Sequence, residues 1–369
     1  MLIRLNLYII RKFLTNFALV IISVALLIAM INVFELLDRV SGKQINFGEI
    51  VLLDILQVPS FIEDITIFLI MISSMITLFS LSIRSEITVM RASGMSFWQI
   101  LSPIAFGAFL LGLFFVLIFN PISITASKKL SKMEQTLIDK EELNLLAPAH
   151  GIWLKQDNVL NGDEDIVIEA KKIYRKNLQM DDVHLWFFDK NHKFYKKIDA
   201  KNMFLKDGSW YLQNAIINDD RNINKSKDKL EIATNLKAEF ITKKILNNFE
   251  NVRLFSVYDL PSLISDLKDS GFSPRKFVVY YHSLLIKPFL FIAMALMAGF
   301  FAVNNVRGRN NIMIFVFGIT VGLVLYISFI IINALGSSGL IPTFLATWMT
   351  SIILMAISIL LIFRKEAIN

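Results

Sequence analysis

The side chains that could do chemistry here are few, and most stand in patterns that carry none. Nucleotide binding by a phosphate loop is excluded, because the one Gly-Lys pair, Gly42-Lys43, lacks the upstream glycine of G-x-x-x-x-G-K-[ST]. The four histidines, His150, His184, His192 and His282, are scattered, and no His/Cys/carboxylate set has metal-ligand spacing. His184 and His192 could meet across a hairpin, where a solvent-facing strand residue is the commoner case. No G-x-S-x-G nucleophile turn occurs. What remains is charge set in or beside apolar runs: Asn32, Glu35, Asp38 and Arg39 in one stretch, Glu63 and Asp64 after Pro59, and Lys287 before Pro288. Near lipid, cations bind phosphates, and a carboxylate such as Glu35 faces a protein interior or a wet cavity more readily than acyl chains. Asn32 and Glu35 fall about one turn apart, forming a polar stripe, while snorkelling accounts for Asp38 and Arg39. Lys287 either snorkels outward or faces a cavity that holds anions or lipid headgroups.

A second pattern is mechanical. The short loop Arg84 to Ser96 reads RSEITVMRASGMS. Ser85 suits an N-cap, Glu86 then sits where the helix dipole favours an anion, and Gly94 can supply the left-handed residue that ends the helix. Helical spacing puts Ile87, Met90 and Gly94 on one stripe with Arg91 beside Met90, an apolar ridge facing away from the membrane that calls for a docking partner.

The elements that must position these residues are membrane spans. Of 369 residues 55% are apolar and 31 are Phe, too many for an ordinary soluble domain of this size. Six runs have the roughly 20 residues that cross a hydrocarbon core of about 30 Å: Leu14 to Leu37, Ile65 to Ile83, Phe97 to Ile122, Phe277 to Val303, Ile312 to Leu335 and Leu340 to Phe363. The first run is too long, and lacks the small-residue cleavage site, for a signal peptide. Val51 to Phe61 reads as an interfacial or re-entrant segment before the second span. Arg4, Arg11 and Lys12, then Arg84 and Arg91, then Arg307 and Arg309, then Arg364 and Lys365 all fall on one side, which predicts cytoplasmic termini and an outer side for the long third loop. Cytoplasmic flanks and a basic outer domain account for the net charge of +7, so nucleic acid is not called for.

That long loop, Ser123 to Lys276, divides the chain into a first membrane half (1–122), an outer domain (123–276) and a second membrane half (277–369). Period-two alternation in Gly151–Lys155, Ile166–Ile173, Val183–Phe188, Lys201–Leu205 and Trp210–Ile217 predicts strands, with turns at Asn161-Gly162 and Asp207-Gly208. The spacing favours a sandwich, jelly roll or partly open barrel, whose core must suffice without disulfides because the chain has no cysteine. Asp219 to Lys229 reads as an exposed loop, Ala126 to Asn144 as a helical extension of the third span, and Pro261 to Gly271 as a short helix.

Three spans, an outer β domain, three further spans and RSEITVMRASG in the first inner loop resemble the lipopolysaccharide export permeases of the LptF/LptG family. The likeness covers essentially the whole chain. It rests on Arg84-Ser85-Glu86 with Met90, Ala92, Ser93 and Gly94, on Val58-Pro59, Pro121, Gly151-Ile152-Trp153, Pro288 and Gly339 to Pro342. The GIWLK opening and the GLIP turn are more similar to LptG than to LptF. The resemblance implies a membrane α-helical bundle of 3+3 helices with a periplasmic jelly-roll-like β domain, in the inner membrane, without catalysis or cofactor of its own. ATP would be used by a separate LptB-like ATPase dimer, seated on a coupling helix that includes Arg84, Ser85, Glu86, Ile87, Met90, Arg91 and Gly94. The other implied partners are an LptF-like paralogue, LptC-like and LptA-like periplasmic jelly-roll proteins, and lipopolysaccharide. The substrate, its phosphates in particular, would be met by Asn32, Glu35, Arg39, Lys43 and Lys287. The family tends to carry a second basic residue on the first span where this chain has Asn32, and Lys43 or Lys287 would compensate.

Other classes fit less well. A mechanically signalling permease places its outer domain after the first span. A secondary transporter needs midplane charge, which is nearly absent here apart from Lys287, and a non-transporting scaffold leaves the docking helix unexplained.

Overall fold

The structure, a computed structural model, describes residues 2–40, 45–137, 152–157, 165–174, 179–189, 193–206, 208–219, 225–234, 252–269, 273–302 and 311–366. It forms two compact units. Met1–Ser131, Phe255–Ser265 and Ser273–Asn369 make the membrane unit, and Lys132–Leu254 with Asp266–Phe272 make the β unit. The membrane unit thus takes in the base of the third span's extension and part of the returning segment.

Among the described residues six helices are long and apolar enough to cross a membrane. Span one is α1 (Leu2–Arg39), span two α2 (Phe47–Ile83), and a short α3 (Glu86–Ala92) follows. Span three runs through α4 (Phe97–Phe114), a π turn (Phe115–Phe119) and α5 (Asn120–Leu137). After the β unit come α6 (Leu260–Asp269), span four as α7 (Arg275–Ala302), span five as α8 (Asn311–Ser338), and span six as a π turn (Leu345–Met349) leading into α9 (Thr350–Glu366). The re-entrant segment expected at Val51 to Phe61 is instead part of one continuous α2, with Pro59 inside it. Neighbouring helices make such a proline tolerable in a span, because the backbone group it frees lies within protein.

Burial is uneven. In their apolar windows spans two and four are 67% and 78% buried, whereas spans one and five are 11% and 17% buried. Four of the buried hydroxyls along span two are satisfied within the helix, which eases its place at the centre: Thr66 donates to the Ile62 carbonyl, Ser73 to Leu69 (2.7 Å), Ser74 to Ile70 (2.7 Å) and Thr77 to Ser73 (2.7 Å). Spans three and four meet at Gly112, where a Cβ would stand 2.4 Å from the Pro288 Cα. Small residues permit such close helix approach in membranes.

The described strands of the β unit form one antiparallel sheet in chain order: β1 (Ile152–Asp157), β2 (Asp165–Tyr174), β3 (Gln179–Phe188), β4 (Phe194–Lys206), β5 (Ser209–Asp219) and β6 (Lys225–Ala233). Most of the stretch read as a loop before Lys229 is therefore outside the described residues or in β6, a Lys-rich edge strand whose charges hid its alternation. One sheet face buries Ile166, Ile168, Val183, Leu185, Met203, Trp210 and Leu212. A single sheet encloses such a core by curling. Gln156 on β1 accepts from Trp210 Nε1 (3.0 Å) and Thr234 Oγ1 (2.6 Å) and donates to the Ala233 carbonyl (3.3 Å), so the first strand touches the end of the last. The sheet is also creased. Burial alternates along β3, β4 and β5 but slips by one residue between Met180 and Val183, Ala200 and Met203, and Leu212 and Ala215, with Asp182 (φ 52°) and Asn214 (φ 53°) left-handed on that line. Asp and Asn tolerate that conformation better than other residues with a Cβ. On the outer face Asp199 pairs with His184 and with Lys197 (2.8 Å). Partial burial pushes the Asp199 carboxyl up, but Lys197 and His184 outweigh it and hold the group below its ordinary value. His192 and the turn residues Asn161, Gly162 and Asp207 lie outside the described residues.

Gly112→Ala should force spans three and four apart and cost about 1–3 kcal/mol, as over-packing does. Gly48, with open space around its Cβ direction, is the control. The aggregation temperature in detergent should fall for Gly112→Ala and stay put for Gly48→Ala; equal behaviour would refute the close contact.

Candidate functional site

The α2–α3–α4 corner is built differently from its sequence pattern. Ser85 is left-handed (φ 59°) and makes no side-chain cap, because only two residues turn the chain from the end of α2 into α3. The capping serine is Ser96, which accepts from the Gln99 N–H (3.2 Å) at the start of α4 while its own N–H donates to Gln99 Oε1 (3.0 Å). Glu366, near the end of α9, accepts from the Phe97 N–H (3.1 Å). Gly94 (φ 88°) ends α3 as expected.

The ridge of Ile87 and Met90 does not face outward. Both side chains are buried in the membrane unit's core. α3 is thereby fixed to its own bundle and presents Thr88, Val89 (67% exposed) and Ala92 on the opposite face, with Arg84 exposed and Arg91 half-buried nearby. Glu86 is held by span one: the Tyr8 hydroxyl donates to Oε2 (3.0 Å) and Lys12 lies 3.4 Å from Oε1. Sequence reasoning missed both partners. The signal was their i,i+4 spacing with an amphipathic Tyr and Lys just before the first apolar run.

At the other end of span one the expected polar stripe is split. Glu35 faces away from the chain and pairs with Arg39 (2.7 Å), both exposed, so it does not sit in this chain's interior. Asn32 turns inward instead, buried beside Asp54 of α2. Although the two side chains are neighbours, neither Asn32 Nδ2 nor Asp54 Oδ1 completes a hydrogen bond. Lys43 lies outside the described residues.

Lys287 neither snorkels nor faces a lipid-binding cavity. It is buried, its Nζ donates to the Glu63 carbonyl oxygen (3.2 Å) and lies 3.6 Å from Glu63 Oε1. Asn120 Nδ2 donates to the same carboxylate (2.7 Å) and reaches the Tyr280 hydroxyl (3.3 Å), while Asn120 Oδ1 accepts from the Val257 N–H (3.1 Å). The Leu117 carbonyl, inside the π turn, accepts from the Tyr258 hydroxyl (3.1 Å). The network pins spans two, three and four, and the segment before α6, to one another. It also consumes the cation that had been expected to meet substrate. His282 is engaged as well, by Trp348 Nε1 (3.3 Å), and among the described residues no group of His and carboxylates could hold a metal ion.

A family model, described as lipopolysaccharide export system permease LptF/LptG, matches residues 7–364. The chain belongs to this family. A comparison with curated proteins finds no match. The permease is thus a membrane transport subunit of the lipopolysaccharide export system rather than a catalytic enzyme, a multi-pass protein of the inner membrane that works with other Lpt proteins. Its architecture is the expected one, a helical membrane bundle with a β domain inserted between spans three and four. Among the residues proposed from sequence, the α3 set stands together at one corner. The substrate set is dispersed, with Glu35 and Arg39 on an outer face, Asn32 buried and Lys287 in the interior.

Lys287→Met should leave the Glu63 carboxylate buried with Asn120 alone and cost the permease about 3–5 kcal/mol. Adding Glu63→Gln should restore most of that loss. Detergent melting curves test this, and equal midpoints for the single and double variants would show that the pair is not the anchor.

Proposed function

We propose that this permease is the LptG-like half of the membrane portion of an ABC exporter. It pairs with an LptF-like paralogue, rests on an LptB-like ATPase dimer, withdraws lipopolysaccharide from the outer leaflet of the inner membrane and passes it to LptC-like and LptA-like periplasmic proteins. The observation that carries this reading is the contrast between spans. Spans two and four are packed within the chain, while spans one and five present long apolar faces that the chain itself leaves uncovered. Such faces suit a paralogous partner on one side and acyl chains on the other. Arg39, held by an exposed glutamate at the end of span one, is the cation best placed to meet a substrate phosphate.

On this reading α3 is the coupling helix, with Thr88, Val89 and Ala92 as its docking face and Glu86 and Arg91 flanking it. The lack of a phosphate loop is then expected, because the ATPase is a separate chain. The basic flanks of the spans support a cytoplasmic side for α3 and both termini and a periplasmic side for the β unit. The curled sheet supports a slide for acyl chains: it has an apolar inner face, and among the described strands β1 and β6 are its edges, the places where strand addition would occur. Assignment as LptG rests on the GIWLK and GLIP segments alone.

Val89→Asp places a charge on the docking face without touching the core. It should lower recovery of a phosphate-loop ATPase with the tagged permease at least about tenfold, the effect of burying one unpaired charge at an interface, while the yield and melting of the permease stay unchanged. Undiminished ATPase recovery and undiminished export would remove the coupling assignment.

A further inference from the structure

Glu86 opens α3, yet its carboxylate is held from span one by both oxygens. Tyr8 and Lys12 stand one turn apart on the same face of α1; the Tyr8 hydroxyl donates to Oε2 at 3.0 Å and Lys12 Nζ lies 3.4 Å from Oε1. The two donors also brace each other, with Lys12 Nζ 3.4 Å from the Tyr8 hydroxyl and 5.6 Å from the centre of its ring. Side-chain exposure is 16% for Lys12 and 29% for Glu86, so water screens this cluster less than it would a free surface pair. A carboxylate has roughly four lone-pair sites, and Tyr8 and Lys12 occupy two, leaving room for a cation from a docked partner.

What lies on either side gives this cluster a direction. Just beyond it Ile9 and Phe13 are fully buried, and Asn16 Nδ2 donates to Thr77 Oγ1 of span two (2.9 Å). Further along, much of span one is uncovered up to Glu35 and Arg39. α1 is one unbroken helix from Leu2 to Arg39. A push at its base is therefore carried by a continuous hydrogen-bonded rod to its far end.

We propose that Tyr8 and Lys12 are positioning residues for transport, a clasp through which displacement of α3 is delivered to span one. This rests on the reading of α3 as the coupling helix. The clasp passes movement on and is not part of the docking face, so its loss separates ATP hydrolysis from lipid movement while leaving the ATPase attached.

The test uses the whole permease, assembled with its paralogue and ATPase in proteoliposomes containing lipopolysaccharide. The chain has no cysteine, so Leu26→Cys on the exposed side of span one takes a single environment-sensitive dye. In the Tyr8→Phe/Lys12→Met form, ATPase recovery should be unchanged and ATP hydrolysis should persist. Lipopolysaccharide delivered per ATP should fall roughly tenfold, within the usual range of coupling between sites, and the dye should no longer respond to nucleotide trapping. Lys12→Arg should keep both readouts. If the double variant does not accumulate, Tyr8→Phe, which keeps the ring, carries the same expectation. Delivery per ATP and dye response within about twofold of the unmodified assembly would overturn the clasp. So would loss of the ATPase, because the two residues would then be shaping the docking face itself. Failure of the underlying reading shows separately, as ATPase recovery that survives Val89→Asp.

Discussion

A buried carboxylate in a membrane bundle has to be answered from within the protein, because the surrounding lipid offers neither a cation nor a donor. Glu63 is answered three ways, by Lys287, by the Asn120 amide and, through its own backbone carbonyl, by Lys287 again. Those partners sit on spans two, three and four. Once they are joined, the three helices cannot separate without stranding a charge, and Gly112 against Pro288 closes the remaining gap between spans three and four. The same Asn120 also holds the Val257 N–H, so the chain returning from the β unit is tied into the pillar it re-enters.

A pillar of three spans makes the other helices intelligible. Span six packs on it through contacts such as the Ser358 hydroxyl with the Ala293 carbonyl (3.3 Å). Among the described residues spans one and five share in no network of comparable strength, and most of their apolar surface is not covered by the rest of the described chain. In a transport subunit the division has a use. On the proposed reading, helices that change neighbours during a cycle would be those with few irreplaceable contacts, and those that hold the geometry would carry the buried charge. Span one is attached at its two ends and along one stripe: to α3 through Tyr8 and Lys12, to α2 through Asn16 and Thr77, and near Asn32, Leu36 and Val40 at the other end.

The spans, their order, the β insertion and the short helix after span two could all be read from the sequence, because each rests on a local pattern: a run of apolar residues, an alternation of period two, a glycine where the chain must turn left-handed. The errors came wherever the deciding partner lay far along the chain. Ile87 and Met90 make an apolar ridge by spacing, but which way a two-turn helix faces is set by the bundle beneath it. Lys287 looked unpaired because Glu63 is more than two hundred residues away. The sheet's crease has a different cause of being hidden, since a slip in alternation looks like noise in one strand and becomes a feature only when Asp182 on β3, the slip on β4 and Asn214 on β5 line up across three successive strands. Ser85 suits a cap by residue type and position, and the two-residue turn between α2 and α3 decides against it.

The loss of Lys287 to the interior changes how substrate phosphate must be met on the proposed reading. Arg39 remains, already bonded to Glu35 at 2.7 Å on an exposed helix face. An exposed pair of this kind contributes between zero and about 1 kcal/mol, so Glu35 by itself is a weak competitor for a phosphate at the guanidinium. Releasing it again is equally easy, because Glu35 is four residues away and returns as the phosphate leaves. A deeply buried cation such as Lys287 could do neither, since each exchange would strand a charge in an apolar bundle. On the proposed reading the division of labour therefore follows from burial: the cation that would have to let go lies at the surface, and the one that holds the helices together lies inside with a permanent partner.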